Sequence, residues 1–395
     1  MRASFRIQTC TEAIRYGTHN GEVRIIGGPR AHHEELLPHW IEFTDALCRY
    51  HFYLQCSVDY DKPSSFELSY MDLSDEVIDL LSSSLEKSQF NEFALINNRF
   101  GQKGIDFALK YIESNEKLVH FCLDENPIMC MENVRRLCGI IKFHPSIESI
   151  ELPMCVNEEI NGYEMLQLIM AAGKNKLKNL DLSGNRISTG GGTFISDFLA
   201  KNSILEHLKL SENGLDDNDA KAFAAALKHN TTLRTLDLSH SRITGAPLNR
   251  FNRISEEGWA ALSQVVFDKT SLNSASDSNH SFRIYQEREG LDCFEINGKV
   301  DGESPLPDPK YVRQKKIYTM LSSRNKDCSN VDHFDNDMPI ELLPDMLRSI
   351  QRYSKYHEAE NGPPKNQDDI IPLSIMYEVL QRWDKSLAVF ESLSS

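Results

Sequence analysis

The sequence predicts an α/β solenoid, a fold made by stacking one strand-and-helix unit many times. Leu177, Leu205 and Leu233 open three matching segments, each 28 residues after the last. A fixed period of roughly 20–50 residues marks a repeat architecture. Each segment begins with alternating apolar residues, Leu180 and Leu182 in the first, which puts both side chains on one face of a short strand. Apolar residues three to four apart follow, Phe194, Phe198 and Leu199 or Phe223 and Leu227, the spacing of a helix with one buried stripe. No single unit can bury its apolar face alone, so several must stack.

Within a unit, Asn185 and Asn213 stand three residues after the last strand leucine. A buried amide carries donors and an acceptor, so it can satisfy backbone groups left free where the chain turns. Gly191 precedes a helix at a point where the chain must turn tightly. Outward from these segments the pattern continues in looser form. Phe90, Phe93, Leu95 and Asn98 fit it, as do Leu118, Phe121, Leu123 and Asn126. Ile147, Ile150 and Leu152 fit with Cys155 in the asparagine place, and Phe66, Leu68 and Leu73 fit with Met71 there. Leu272, Ala275, Asp277 and His280 fall on the same positions more weakly. The expectation is eight units between about residues 61 and 282, with Asn98, Asn126, Cys155, Asn185 and Asn213 forming a ladder at the turns.

These L-x-x-L-x-L-x-x-N segments resemble leucine-rich repeats of the ribonuclease-inhibitor type. The resemblance implies a horseshoe with parallel strands on its concave face, helices on its convex face, and a protein partner bound along the strands. In that family Cys commonly stands in for the turn Asn, as at Cys155. The segment Ser271–Phe282 with the later KIYTMLSSR and PLSIMYEVLQRW is also similar to leucine-rich repeat proteins of diatom-like algae, a likeness that implies no activity.

Residues 1–60 lack the repeat and are expected to cap the solenoid. Leu36, Trp40, Phe43 and Leu47 make an apolar helical stripe there, and Asn20-Gly21 suits a tight hairpin turn. Near 244–253 an insertion breaks the period: Ser241 replaces the expected Asn, a second Asn-x-Ile follows at Asn252 and Ile254, and the next strand is expected at Leu272. Residues 283–310, with Pro305, Pro307 and Pro309, read as a linker. Residues 311–395 carry three helical patterns, expected as a C-terminal helical cap.

The formal charge of −15 argues against nucleic acid and anionic membrane as partners. The first residues lack a secretory apolar core, and the nine cysteines include no C-x-x-C pair, so a cytoplasmic protein with reduced thiols is expected. No phosphate loop, nucleophile elbow or zinc spacing is present, so neither a catalytic residue, a cofactor nor a metal is expected. Asp332, His333, Asp335 and Asp337 form a short acidic loop better read as solvated. Met338–Tyr356 faintly resembles an F-box helix, which implies a ubiquitin-ligase substrate receptor as one alternative. A regulator of a small GTPase is another, implied by the repeat type.

Because side chains alternate along a strand, residues between the leucines face outward. Glu67, Glu92, Asp124, Glu125, Glu148, Glu151, Asp181, Glu206, Glu212 and Asp237 fall on such positions, against Lys178, Lys209 and Arg234. A middle column is expected to run Glu67, Ala94, Cys122, Glu151, Asp181, Lys209, Asp237 and Ser276. The excess of acid predicts a scaffold or adaptor that takes a basic segment of another protein there.

Overall fold

The computed structural model describes residues 2–16, 21–27, 33–54, 64–86, 88–239, 252–281, 283–285, 308–326, 342–361, 375–376 and 379. The chain forms two compact units. The first comprises residues 1–219, 235–253 and 285–287; the second comprises 220–234, 254–284 and 288–395.

The first unit alternates helix and strand: α1 (Arg2–Tyr16), β1 (Glu22–Ile26), α2 (His33–Leu54), β2 (Ser65–Ser69), α3 (Asp75–Leu85), β3 (Glu92–Ile96), α4 (Gln102–Ser114) and β4 (His120–Cys122). It continues with α5 (Met131–Phe143), β5 (Ser149–Glu151), α6 (Gly162–Gly173), β6 (Asn179–Asp181), α7 (Phe194–Lys201), β7 (His207–Lys209) and β8 (Thr235–Asp237). Each strand from β1 to β8 pairs in parallel with the next, in chain order. This is the leucine-rich repeat solenoid that the period predicts.

Register makes the core continuous. Val23, Phe66, Phe93, Phe121, Ile150, Leu180, Leu208 and Leu236 lie side by side across the eight strands, and none is more than 2% exposed. Phe66 and Phe93 stack with ring centroids 5.8 Å apart. Burying a large apolar side chain contributes roughly 1.5–3 kcal/mol, so this one row is a principal source of the unit's stability.

The turn after each strand is held by the amide ladder. Asn98 Oδ1 accepts from the Met71 N–H at 3.0 Å while its Nδ2 donates to Leu68 O at 2.8 Å. Asn126 repeats this with Asn98 N and Leu95 O, at 2.9 and 2.7 Å. Asn213 Oδ1 accepts from the N–H groups of Asn185 and Ile187. Cys155 supplies a weaker form of the pattern. Its thiol donates to Leu123 O at 3.0 Å, and the Asn126 N–H divides between Leu123 O at 3.2 Å and the Cys155 sulfur. Sulfur is a weak acceptor, so this rung is weaker than an amide one.

Asn252 completes the ladder where the period breaks. Its Oδ1 accepts from Leu215 N at 3.1 Å, and its Nδ2 donates to Leu210 O and Leu238 O. Asn185 and Asn213 each follow the last residue of their strand by four positions, so position 241 would hold this amide without the insertion. Deleting residues 241–251 restores that spacing. The deletion is expected to fold with a melting temperature within about 3 °C of the intact chain, since loop length changes stability only slowly. A fall of more than about 10 °C by circular dichroism would show that the inserted residues support the ladder.

The position just before each ladder residue is left-handed. Tyr70 (φ 56°), Asn97 (47°), Glu125 (55°), Met154 (51°), Gly184 (70°) and Glu212 (53°) form this row. Each donates its N–H to a carbonyl of the following repeat, such as Met154 to Ser183 O at 2.8 Å and Gly184 to Ser211 O at 2.9 Å. Such a backbone costs a non-glycine residue about 1 kcal/mol. Glycine fills it at one place of the six, and Asn97 is of the type that tolerates it best.

The capping segment differs from the expectation in one respect. α2 buries Leu36, Trp40, Phe43 and Leu47, the stripe read from the sequence. Between α1 and α2, however, lies the strand β1, whose alternating Val23 and Ile25 are buried and which pairs in parallel with β2. No hairpin follows from a parallel strand, and Asn20 itself lies outside the described residues. The sequence EVRII lacks the leucine signature, so only its alternation marks it. α1 packs against β1, with Arg6 donating to the carbonyls of Ile26 and Gly27.

The second unit holds most of α8 (Asp217–Leu227), then α9 (Glu256–Val266), α10 (Leu272–Asp277), α11 (Pro309–Lys326) and α12 (Leu343–Asn361). Leu272 and Ala275 belong to a helix, not to a strand, and Ser276 therefore leaves the predicted column. Ser271 caps α10 by accepting from Ser274 N at 2.9 Å, and the small residues after it favour a helical turn. Leu272 and Ala275 are buried among Ile317, Met320 and Leu321 of α11 and Leu343, Met346 and Ile350 of α12. Lys316 is fully buried in this unit. Its ammonium donates to the carbonyls of Val266 and Asn279 and, at 2.9 Å, to His280 Nδ1. Residues 286–307 of the expected linker and most of the last helical pattern lie outside the described residues, although Ile375 and Val379 are buried in the same cluster.

Candidate functional site

The strand face of the first unit carries the predicted middle column. Register places Arg24, Glu67, Ala94, Cys122, Glu151, Asp181, Lys209 and Asp237 on successive strands. Neighbouring strands lie about 4.8 Å apart, so this is one line of functional groups across the sheet. Arg24 is an addition. It comes from β1, which the leucine signature does not reveal, and it pairs with Glu67 at 2.9 Å.

Part of the acid on this face is matched by local partners. Lys209 Nζ lies 3.2 Å from Asp181, and Lys178 lies 2.7 Å from Glu148. The Asn97 amide donates to Glu125, while His120 Nε2 stands 3.8 Å from Glu151, beyond hydrogen-bond reach. Glu92 opens β3 and is exposed, opposite Ser65 and His120 and outside the middle column. Glu206 precedes β7 and donates its N–H to Lys178 O, so it stands beside the strand rather than on it.

Asp181 and Asp237 hold the backbone as well. Asp181 Oδ1 accepts from Ser183 N at 3.0 Å, and Asp237 Oδ1 accepts from Ser239 N at 2.9 Å and Ser239 Oγ at 2.6 Å. The repeated L-D-L-S therefore has a turn-forming use in both places.

The acid crowds around Asp124. Its own burial, then Glu125, Asp181 and Glu151, push its carboxyl up to about 6. Burial also raises Asp237, against the opposing bonds from Ser239. Burial disfavours the charge on Lys209, but Asp181, Glu151 and Asp237 together outweigh it and raise its pKa. The Cys122 thiol is pushed up to about 12, first by burial and further by Glu151 and Asp124. A thiol so raised stays protonated and is a poor nucleophile.

Among the described residues, no group of three or more His, Cys, Asp or Glu is placed to hold a metal ion. Asp332, His333, Asp335 and Asp337 lie outside the described residues. No described helix is long and apolar enough to cross a membrane. The face offers carboxylates, amides and hydroxyls on a rigid sheet, which suits recognition of another chain's side chains.

A sequence model of the leucine-rich repeat matches residues 173–196, 201–224 and 229–246. The chain is 29% identical over 176 residues to NACHT, LRR and PYD domains-containing protein 5 of Homo sapiens, covering 43% of this chain and 14% of that protein. It is 27% identical over 187 residues to NACHT, LRR and PYD domains-containing protein 14 of Mus musculus, covering 46% and 18%. A match to Rho GTPase-activating protein gacW of Dictyostelium discoideum, 27% identical over 169 residues, covers 41% and 15%. The chain thus spans less than a fifth of the length of these relatives. With its period, its parallel ladder and its matched segments, this chain carries a leucine-rich repeat solenoid.

Proposed function

We propose that this chain is a non-catalytic scaffold or adaptor whose repeats, of the ribonuclease-inhibitor type, take a basic segment of another protein on the strand face. The observation that carries this reading is the surplus of carboxylate around Asp124 and Glu151 after the local pairs are counted. Burial first, and then the like charges of Glu125, Asp181 and Glu151, disfavour the ionised Asp124. An incoming Lys or Arg would relieve that crowding. Electrostatics of this kind act most on association rate and partner choice.

The test is affinity capture from native cell extract with wild type beside Asp181→Lys/Asp237→Lys. A second variant, Asp181→Asn/Asp237→Asn, keeps the oxygen that accepts from Ser183 and Ser239 while removing the charge. A partner held by wild type is expected to be lost from both variants. Its affinity is expected to fall about tenfold or more between about 0.05 and 0.5 M salt. Retention of the same partner by both folded variants would rule out this face.

The likeness to a protein named as a Rho GTPase-activating protein favours a second reading, regulation of a small GTPase. GTP turnover by a panel of small GTPases with and without this chain separates the two. The F-box-like alternative gains no support: Leu342, Leu343, Met346 and Ile350 are buried against the other helices of their own unit.

A further inference from the structure

The left-handed row runs Tyr70, Asn97, Glu125, Met154, Gly184, Glu212. Gly184 shows that the fold accepts glycine in this row. Elsewhere a side chain occupies a position whose backbone disfavours one. Two of these side chains are large apolar groups left in water: Tyr70 is 49% exposed and Met154 37% exposed. The row's N–H groups already bond to the next repeat, so its side chains, not its backbone donors, can meet a partner. Met154 lies against Gly184. A Cβ on Gly184 would stand 2.7 Å from Met154 Cγ, so the bare glycine leaves the room in which that side chain lies. Between Tyr70 and Met154 stand Asn97 and Glu125, joined by the bond from the Asn97 amide to the Glu125 carboxylate.

We propose that Tyr70, Glu125 and Met154 form a recognition ridge for an extended segment of another protein that crosses the repeats. Its pattern would be apolar-x-basic-x-apolar. The spacing fits. Tyr70 and Met154 are three repeats apart, about 14 Å at the strand spacing, and same-face residues of an extended chain recur about every 7 Å. Residues i and i+4 then reach Tyr70 and Met154, and residue i+2 falls between Asn97 and Glu125, from where a long basic side chain reaches the Glu125 carboxylate. The charge of the partner rests on the reading above; the ridge adds where it docks and which apolar residues accompany the charge.

The test uses a fluorescent peptide carrying Leu-Ser-Arg-Ser-Leu in an extended polar context, and a scrambled peptide of equal composition. Anisotropy is read with wild type, with Tyr70→Gly/Met154→Gly, and with Asp181→Asn/Asp237→Asn. Wild type is expected to prefer the ordered peptide about tenfold or more. The glycine variant is expected to lose that preference while melting no lower than wild type, because glycine suits the left-handed backbone. The variant Tyr70→Asn/Met154→Asn gives the same comparison with a second residue type that tolerates this conformation. Equal binding of both peptides by wild type, or an undiminished preference in both ridge variants, overturns the ridge. A lower melting temperature in the glycine variant overturns it too, since Tyr70 and Met154 would then be supporting the fold. Loss of binding in Asp181→Asn/Asp237→Asn alone overturns the ridge but leaves the strand-face reading standing. Loss in the ridge variants alone does the reverse.

Discussion

Asn185→Ala is expected to lower the stability of the first unit by about 3–5 kcal/mol. Asn185 is fully buried and serves two neighbouring turns. Its Oδ1 accepts from Cys155 N at 2.8 Å and from Val156 N at 3.1 Å, and its Nδ2 donates to Leu152 O at 2.7 Å. Alanine would leave these groups without that partner, and each unsatisfied buried group costs about 1–3 kcal/mol. The loss is a large part of a typical total of about 5–15 kcal/mol. It falls next to Cys155, whose sulfur makes the weaker rung of the ladder. Urea unfolding by circular dichroism measures it. A loss below about 1 kcal/mol would mean that water takes over the role of the amide.

Acid is expected to loosen the second unit between about pH 6.5 and pH 4. His280 is held down to about 4 by burial and then by Lys316, while its bond to Ser276 O works the other way. Its Nδ1 accepts from the Lys316 ammonium at 2.9 Å, so a proton there would set two cations face to face. A base whose folded pKa lies below its unfolded value favours the folded state fully above pH 6.5. That contribution is lost as pH falls through 6.5 toward 4. The shift corresponds to a loss on the order of 3 kcal/mol. Hydrogen exchange in α11, corrected for the intrinsic pH dependence, reads it. His280→Gln is expected to flatten the profile. Equal protection at both ends of that range in wild type would show that Lys316 is not tied to the fold through His280.

Much of this was legible in the sequence, because the physics that sets it is periodic. Leu180, Leu208 and Leu236 announce the strands, and the order of the outward column follows from counting alone as far as Asp237. What escaped has identifiable reasons. β1 has no leucine signature, so Arg24, the partner of Glu67, went unseen. Leu272 and Ala275 fit a strand template by spacing, but a serine cap and small residues made a helix of them. The left-handed row leaves almost no mark, since five of its six residues are not glycine. Gly184 just before Asn185 was the available sign. Asn252 was visible as a second Asn-x-Ile; that it takes the ladder place of Ser241 needed the structure.

The amide ladder also has a direction. Asn98 completes the turn at Met71, Asn126 that at Asn98, Asn185 that at Cys155, and Asn213 that at Asn185. In each case the later repeat finishes the earlier one. A chain emerging from the ribosome therefore cannot close its newest turn until the following repeat has been made. At about 5–20 residues per second, 28 residues impose a delay of roughly 1–6 s during which that turn stays open. Vectorial synthesis thus gives the growing end of this protein a standing need for protection. Loss of a repeat from the C-terminal side would remove the Oδ1 that completes the last remaining turn, whereas loss from the N-terminal side would remove the carbonyl that receives the first remaining Nδ2.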